Sequence, residues 1–157
     1  MRHPKDISWQ IVPWNPDEFL EVATKWLLDV HSDAIKKSSM NGEAEAHALH
    51  TITAFEVNPL CALYGILVGG EPGGLLGVLH QNRFERSAEL ALFLDPKWQM
   101  SGLGRLVGEE VVDILGRAGF DELRVFPLSQ LSANLCKRLG FVERPIGLTM
   151  MSRSAPK

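Results

Sequence analysis

Glu89-Leu90-Ala91-Leu92-Phe93-Leu94-Asp95-Pro96-Lys97-Trp98-Gln99-Met100-Ser101-Gly102-Leu103-Gly104 is the stretch of this 157-residue chain whose reading decides the fold. Its first half alternates as a strand does. Glu89, Ala91 and Phe93 fall on one face, and Leu90, Leu92 and Leu94 on the other. Asp95-Pro96 stops the strand, because proline cannot donate to a ladder. The second half opens a helix running from about Gly102 to Arg117, with Leu103, Leu106, Val107, Val111, Ile114 and Leu115 as its apolar stripe. The first amides of a helix lack intrahelical acceptors and carry partial positive charge. The segment Gln99-Met100-Ser101-Gly102-Leu103-Gly104 is therefore suited to an anion. Gly102 and Gly104 would let a phosphate approach the backbone closely, and Arg105 would add charge. The residues by themselves point to a phosphate-bearing ligand.

Upstream, Ala62 to Val68 and Leu75 to His80 read as a hairpin about the turn Gly69-Gly70-Glu71-Pro72-Gly73-Gly74, followed by the strand Ala88 to Leu94. Ile7 to Pro13 reads as a first strand. Asn15 caps a helix with Pro16 at its first position, and Phe19, Leu20, Ala23, Leu27 and Val30 share a face that Trp14 and Trp26 extend. Asp33 to Phe55 reads as a second, more polar helix, or as two pieces broken at Asn41-Gly42. Downstream, Gly119 ends the long helix and Leu123 to Phe126 is a short buried strand. Ser129 caps a helix to Leu139 that Gly140 terminates, and Ile146 to Ser152 is a last strand. Antiparallel hairpins followed by a strand-helix-strand unit predict a mixed α/β sheet.

The bulk numbers fit one domain over residues 1–157 with one core. A composition of 45% apolar and 22% charged residues is that of a soluble globular protein. A net charge of −3 argues against non-specific nucleic-acid binding. The nearly apolar run from Leu60 to Gly70 is too short for a membrane helix, which needs about 20 residues. No apolar stretch follows the first residues, so no signal peptide is expected. Cys61 and Cys136 lie far apart without a CxxC pattern, which favours a reduced, cytoplasmic protein. His47 and His50 lie near Glu43, but no third histidine or cysteine has matching spacing, so no metal is expected. His31 and His80 stand alone.

The pattern Gln/Arg-x-x-Gly-x-Gly/Ala, after a strand ending in a hydrophobic-x-Pro step, resembles the acetyl-CoA signature of the GNAT superfamily of N-acetyltransferases. This chain supplies Leu94-Asp95-Pro96 and then Gln99, Gly102 and Gly104. The resemblance continues in the last helix. There the family's Asn-x-x-Ala-x-x-Leu-Tyr-x-x-x-Gly-Phe matches Ser129, Ser132, Leu135, Cys136, Gly140 and Phe141. A rival pattern, the GxGxxxG string from Gly102 to Gly108, is close to a dinucleotide fingerprint. In that fold the first glycine directly follows the strand, whereas seven residues, Asp95 to Ser101, intervene here.

The resemblance implies a mostly antiparallel sheet splayed between its fourth and fifth strands and flanked by helices. It also implies acetyl-CoA as co-substrate and a primary amine of a small molecule, peptide or protein as acceptor. Glu89 is the implied base for the acceptor ammonium, with His31 and His80 in reserve. Backbone groups near Phe93 and Leu94 are the implied oxyanion donors. The family's leaving-group acid is a tyrosine, and Cys136 stands in its place, as a thiol acid or as a residue lining the cofactor channel. Ser129 would face the pantetheine arm. The cysteine substitution also admits a second reading, a catalytically weak acyl-CoA-binding or protein-interaction module. Exposed sheet edges or tryptophans would support a homodimer.

Overall fold

The computed structural model describes residues 7–30, 43–127, 130–146 and 148–154. The chain forms β1 (Trp9–Pro13), α1 (Pro16–Val30), α2 (Glu43–Val57), β2 (Ala62–Val68), β3 (Glu71–Asn82) and β4 (Ser87–Leu94). A 3-10 turn, Pro96–Trp98, leads to α3 (Leu103–Arg117), β5 (Glu122–Val125), α4 (Gln130–Arg138), β6 (Val142–Ile146) and β7 (Leu148–Ser154). The seven strands make one sheet in the order β1-β2-β3-β4-β5-β7-β6. Every neighbouring pair is antiparallel except β4 with β5.

Local chemistry accounts for most of these elements. Asn15 starts α1, its Oδ1 accepting from the Asp17 amide at 3.1 Å. Phe19, Ala23, Trp26 and Leu27 are then buried as one stripe. The β2–β3 turn is tighter than the glycine-rich run suggests. Gly69 and Gly70 turn the chain at φ 60° and 83°, and Glu71 already pairs with Val68. The stripe of α3 is rotated from its expected position. Val112, with Gly104 and Gly108, is buried, while Ile114 faces solvent. The reason is that α4 docks on the two glycines. A Cβ on Gly104 would lie 3.1 Å from Leu135 Cδ2, and one on Gly108 would lie 2.6 Å from Leu139 Cδ1. The string from Gly102 to Gly108 is thus largely a seat for Leu135 and Leu139. The closing segment, which the sequence left open as one strand or more, forms a hairpin of β6 with β7. The proposed cap Ser129, together with His31 and the Asn41-Gly42 break, lies outside the described residues.

The sheet divides two cores. On one side Ile66, Leu76, Val78, Ala88 and Leu123 pack against Leu103, Val107, Val111 and Leu115 of α3, with Leu90, Leu92 and Leu94 beside them. On the other, Leu75, Leu63, Leu67 and Phe93 meet Phe19, Ala23 and Leu27 of α1 and Ala48 and Ile52 of α2. The alternation read from β4 is therefore correct. Leu90, Leu92 and Leu94 face α3, and Phe93, with Glu89 in the same phase, faces the α1–α2 side.

Candidate active site

Strands β4 and β5 are joined over four pairs only, from Ser87 with Glu122 to Leu90 with Val125. Beyond that point β5 ends, while β4 runs on through Ala91, Leu92, Phe93 and Leu94, paired among the described residues with β3 alone. The ladder between the two strands stops there, which leaves an opening on the β5 side of Ala91 to Leu94. The Asp95 amide donates to Gly73 O across to β3 at 2.9 Å. By alternation along the strand, the main-chain groups of Phe93 and Ala91 also face β3, and those of Leu92 and Leu94 face the opening. Of the two residues expected to present backbone donors, Leu94 is placed to do so. Phe93 is not, because its amide and carbonyl belong to the β3 ladder.

The loop at the mouth of this opening has a mixed inventory of amides. The Gln99 amide is taken by Pro96 O, and that of Ser101 by Trp98 O. Ser101 Oγ donates to Trp98 O at 2.5 Å and accepts from the Leu103 amide at 3.2 Å. Those three amides are spent on the protein, contrary to the simple expectation that the whole segment is free. The amides of Met100, Gly102, Gly104 and Arg105 find no acceptor among the described residues. Gly102 is the N-cap at φ 88°, a conformation that side chains other than those of Asn and Asp adopt reluctantly. Gly104 is not open to a ligand through its missing side chain, since Leu135 and Leu94 fill that space. Arg105 lies along the helix, its Nε 3.0 Å from Glu109 Oε1, an exposed pair of small strength.

Glu89 occupies the other side of the sheet. It is opposite Arg124 in the β4–β5 register and lines a cleft of about 170 Å³ with His80, Ser87, Ala88, Arg124 and Phe126. Its side chain is 22% exposed. Burial pushes its carboxyl above the ordinary carboxylate range, and the neighbouring His80 pulls it part of the way back. His80 Nε2 lies 3.4 Å from Glu89 Oε2. Arg124 is held away from full charge pairing with Glu89. Its Nε donates to Glu122 Oε1 at 2.5 Å and its Nη2 to Glu85 Oε2 at 3.2 Å. These bonds, the one to Glu122 foremost, hold the guanidinium more firmly protonated.

Cys136 is half-buried on α4 and packs against the α3 core. Burial raises its thiol pKa, which weakens it as an acid. Both cysteines are free. Sequence reasoning missed Ser87, Arg124 and Phe126 as neighbours of Glu89, and it set His80 in reserve. The strand period would have grouped Glu122, Arg124 and Phe126 on one face, but not placed them beside Glu89 without the parallel register.

The strand order, with its single parallel pair, is that of the GNAT N-acetyltransferase fold. Solved structures agree over nearly the whole chain. Spermidine N-acetyltransferase from Vibrio cholerae, in complex with CoA and spermine, superimposes with a TM-score of 0.71 at 13% identity, over 94% of this chain and 95% of that one. The PaiA N-acetyltransferase from Thermoplasma acidophilum, in complex with coenzyme A, gives 0.70 at 16% identity, over 94% and 99%. RimL, a ribosomal L7/L12 α-N-protein acetyltransferase in complex with coenzyme A, gives 0.69 at 14%, over 94% of each chain. No protein-family model and no curated protein matches the sequence. Among the described residues no helix is long and apolar enough to cross a membrane.

Proposed function

We propose that this protein is an acyl-CoA-dependent N-acetyltransferase that moves an acetyl group from acetyl-CoA to a primary amine. The observation that carries the reading is the end of the β4–β5 pairing after Leu90 and Val125, directly upstream of a helix start at which the amides of Gly102, Gly104 and Arg105 find no acceptor among the described residues. A pantetheine arm entering that opening would meet the main-chain groups of Leu92 and Leu94. The diphosphate would accept from the amides of Gly102, Gly104 and Arg105. Enzymes of this fold are solved with coenzyme A bound, which supports the same ligand here.

The thioester is already activated, so holding amine and carbonyl in line supplies much of the rate. Glu89 receives the proton that the ammonium must lose, and its raised pKa brings it closer to the working pH of a general base. Leu94 N–H is the donor placed to stabilise the developing oxyanion. Cys136, raised by burial, lines the channel instead of supplying the leaving group's proton. That same residue favours the second reading, a fold that binds acyl-CoA and turns over slowly. The acceptor is a small-molecule or peptide amine in a cytoplasmic setting.

Incubation with acetyl-CoA and a panel of primary amines, with thiol release followed continuously, tests the reading. Amine-dependent release supports the transferase. Acetyl-CoA binding without release from any amine supports the binding module.

A further inference from the structure

His80 lies at a fault in the sheet. The β3–β4 register shifts between Leu79, which pairs with Glu89, and Asn82, which pairs with Ser87. One extra residue is thus inserted on β3. His80 takes φ 47° there, in the left-handed region that a non-glycine residue seldom occupies. Regular alternation would put His80 on the α3 side, opposite Leu79 and Glu89. The bulge re-aims it to the Glu89 side, as bulges beside active sites do. There its Nε2 stands 3.4 Å from Glu89 Oε2, and both residues line the same cleft. The ring meets Phe55 of α2 edge-on, with centroids 6.4 Å apart. Among the described residues, Arg124 and Glu122 on β5 and Glu85 in the β3–β4 turn are charged groups of this neighbourhood, and Arg124 is bonded to both carboxylates.

Acetyl transfer to an ammonium must also export a proton. R–NH3⁺ and the thioester yield the amide, the free thiol and one H⁺. The ammonium's first proton goes to Glu89. The second leaves the nitrogen as the C–S bond breaks and ends on the thiol. Glu89 must then be cleared before the next turnover, and it is only 22% exposed, whereas His80 is 60% exposed.

Resting on the acetyltransferase reading, we propose that His80 is a positioning and proton-relay residue, accepting at Nε2 the proton that Glu89 has taken from the acceptor amine and releasing one at Nδ1 to water. Once it carries that proton, His80 favours the Glu89 carboxylate beside it and holds its pKa down. Its loss moves the acidic limb of the pH–rate profile to higher pH.

The test compares wild type with His80→Gly and His80→Asn, by thiol release over a range of acetyl-CoA concentrations at saturating amine from pH 6 to 10, with and without added imidazole. Glycine and asparagine both tolerate a positive φ, so both variants keep the bulge. The expected result is a fall in kcat of about tenfold to a hundredfold in both variants with an unchanged KM for acetyl-CoA. The acidic limb moves to higher pH, and imidazole restores His80→Gly but not His80→Asn. Full activity in His80→Gly, or a loss that imidazole leaves untouched, overturns the relay and leaves the transferase standing. A wild-type protein that turns over no amine overturns the transferase itself.

Discussion

Leu90 and Val125 are the last residues on which β4 and β5 are joined, and the chain places Glu89 one residue before that fork. A reagent entering the opening meets the β4 main chain at Leu92, roughly 10 Å along the strand from Glu89 at about 3.3 Å per residue. On the proposed function, cofactor and acceptor would approach from opposite faces of the sheet and meet at this strand.

Glu89→Gln is expected to separate activity from stability. A carboxyl whose folded-state pKa lies above its unfolded value favours the folded state at low pH, and that contribution is lost as pH rises through the folded value. Removing the titration therefore makes the variant more stable than wild type at pH 7 to 8, and the difference closes toward pH 4. Its kcat falls by about a hundredfold or more. Thermal melts across this pH range, beside thiol-release rates, check both halves; a variant less stable than wild type at pH 8 contradicts the account of Glu89.

Cys136→Ala is expected to keep kcat within about tenfold of wild type, because a thiol raised by burial is a weak acid. In wild type the same residue should react slowly with iodoacetamide at pH 7, accelerating only at alkaline pH, and coenzyme A should slow it further. Peptide mapping after timed alkylation reads this directly. A loss beyond a hundredfold in Cys136→Ala would restore it as the leaving-group acid.

Gly65→Ala tests the packing of α1 on the sheet. A Cβ on Gly65 would lie 2.2 Å from Phe19 Cζ and 2.4 Å from Cε2, atoms of a rigid ring that is wholly buried. Overpacking of this kind costs about 1–3 kcal/mol. At ~2–4 °C per kcal/mol for a chain of this size, Tm should fall by several degrees. An unchanged Tm would mean that α1 is less firmly seated than described.

Much of this fold was legible because its signals are local. The alternation of Glu89 to Leu94, the Asp95-Pro96 stop, the cap at Asn15 and the terminating glycines Gly119 and Gly140, at φ 102° and 94°, each act within a few residues. What escaped depends on distant parts of the chain. Gly104 looked like a ligand glycine and Gly108 like part of a rival dinucleotide string, yet their space is set by Leu135 and Leu139, which only the docking of α4 reveals. The oxyanion expectation spread over Phe93 and Leu94, since only the pairing of Asp95 with Gly73 decides which of them faces the opening. His80 was indistinct because a bulge breaks the alternation that sequence reading relies on.

The central claim is that free amides at the start of α3 bind the diphosphate of acetyl-CoA. Gly104→Glu is a poor test of it, because that side chain would be forced into Leu135 and Leu94. Gly102 is exposed at φ 88°, a conformation that both Asn and Asp tolerate, and these two side chains differ mainly in charge. Calorimetric titration of acetyl-CoA into Gly102→Asn and Gly102→Asp is the direct measurement. The account predicts that the Asn variant binds within a few-fold of wild type and that the Asp variant loses at least about tenfold, or ~1.4 kcal/mol. Equal affinities for the two variants would contradict it.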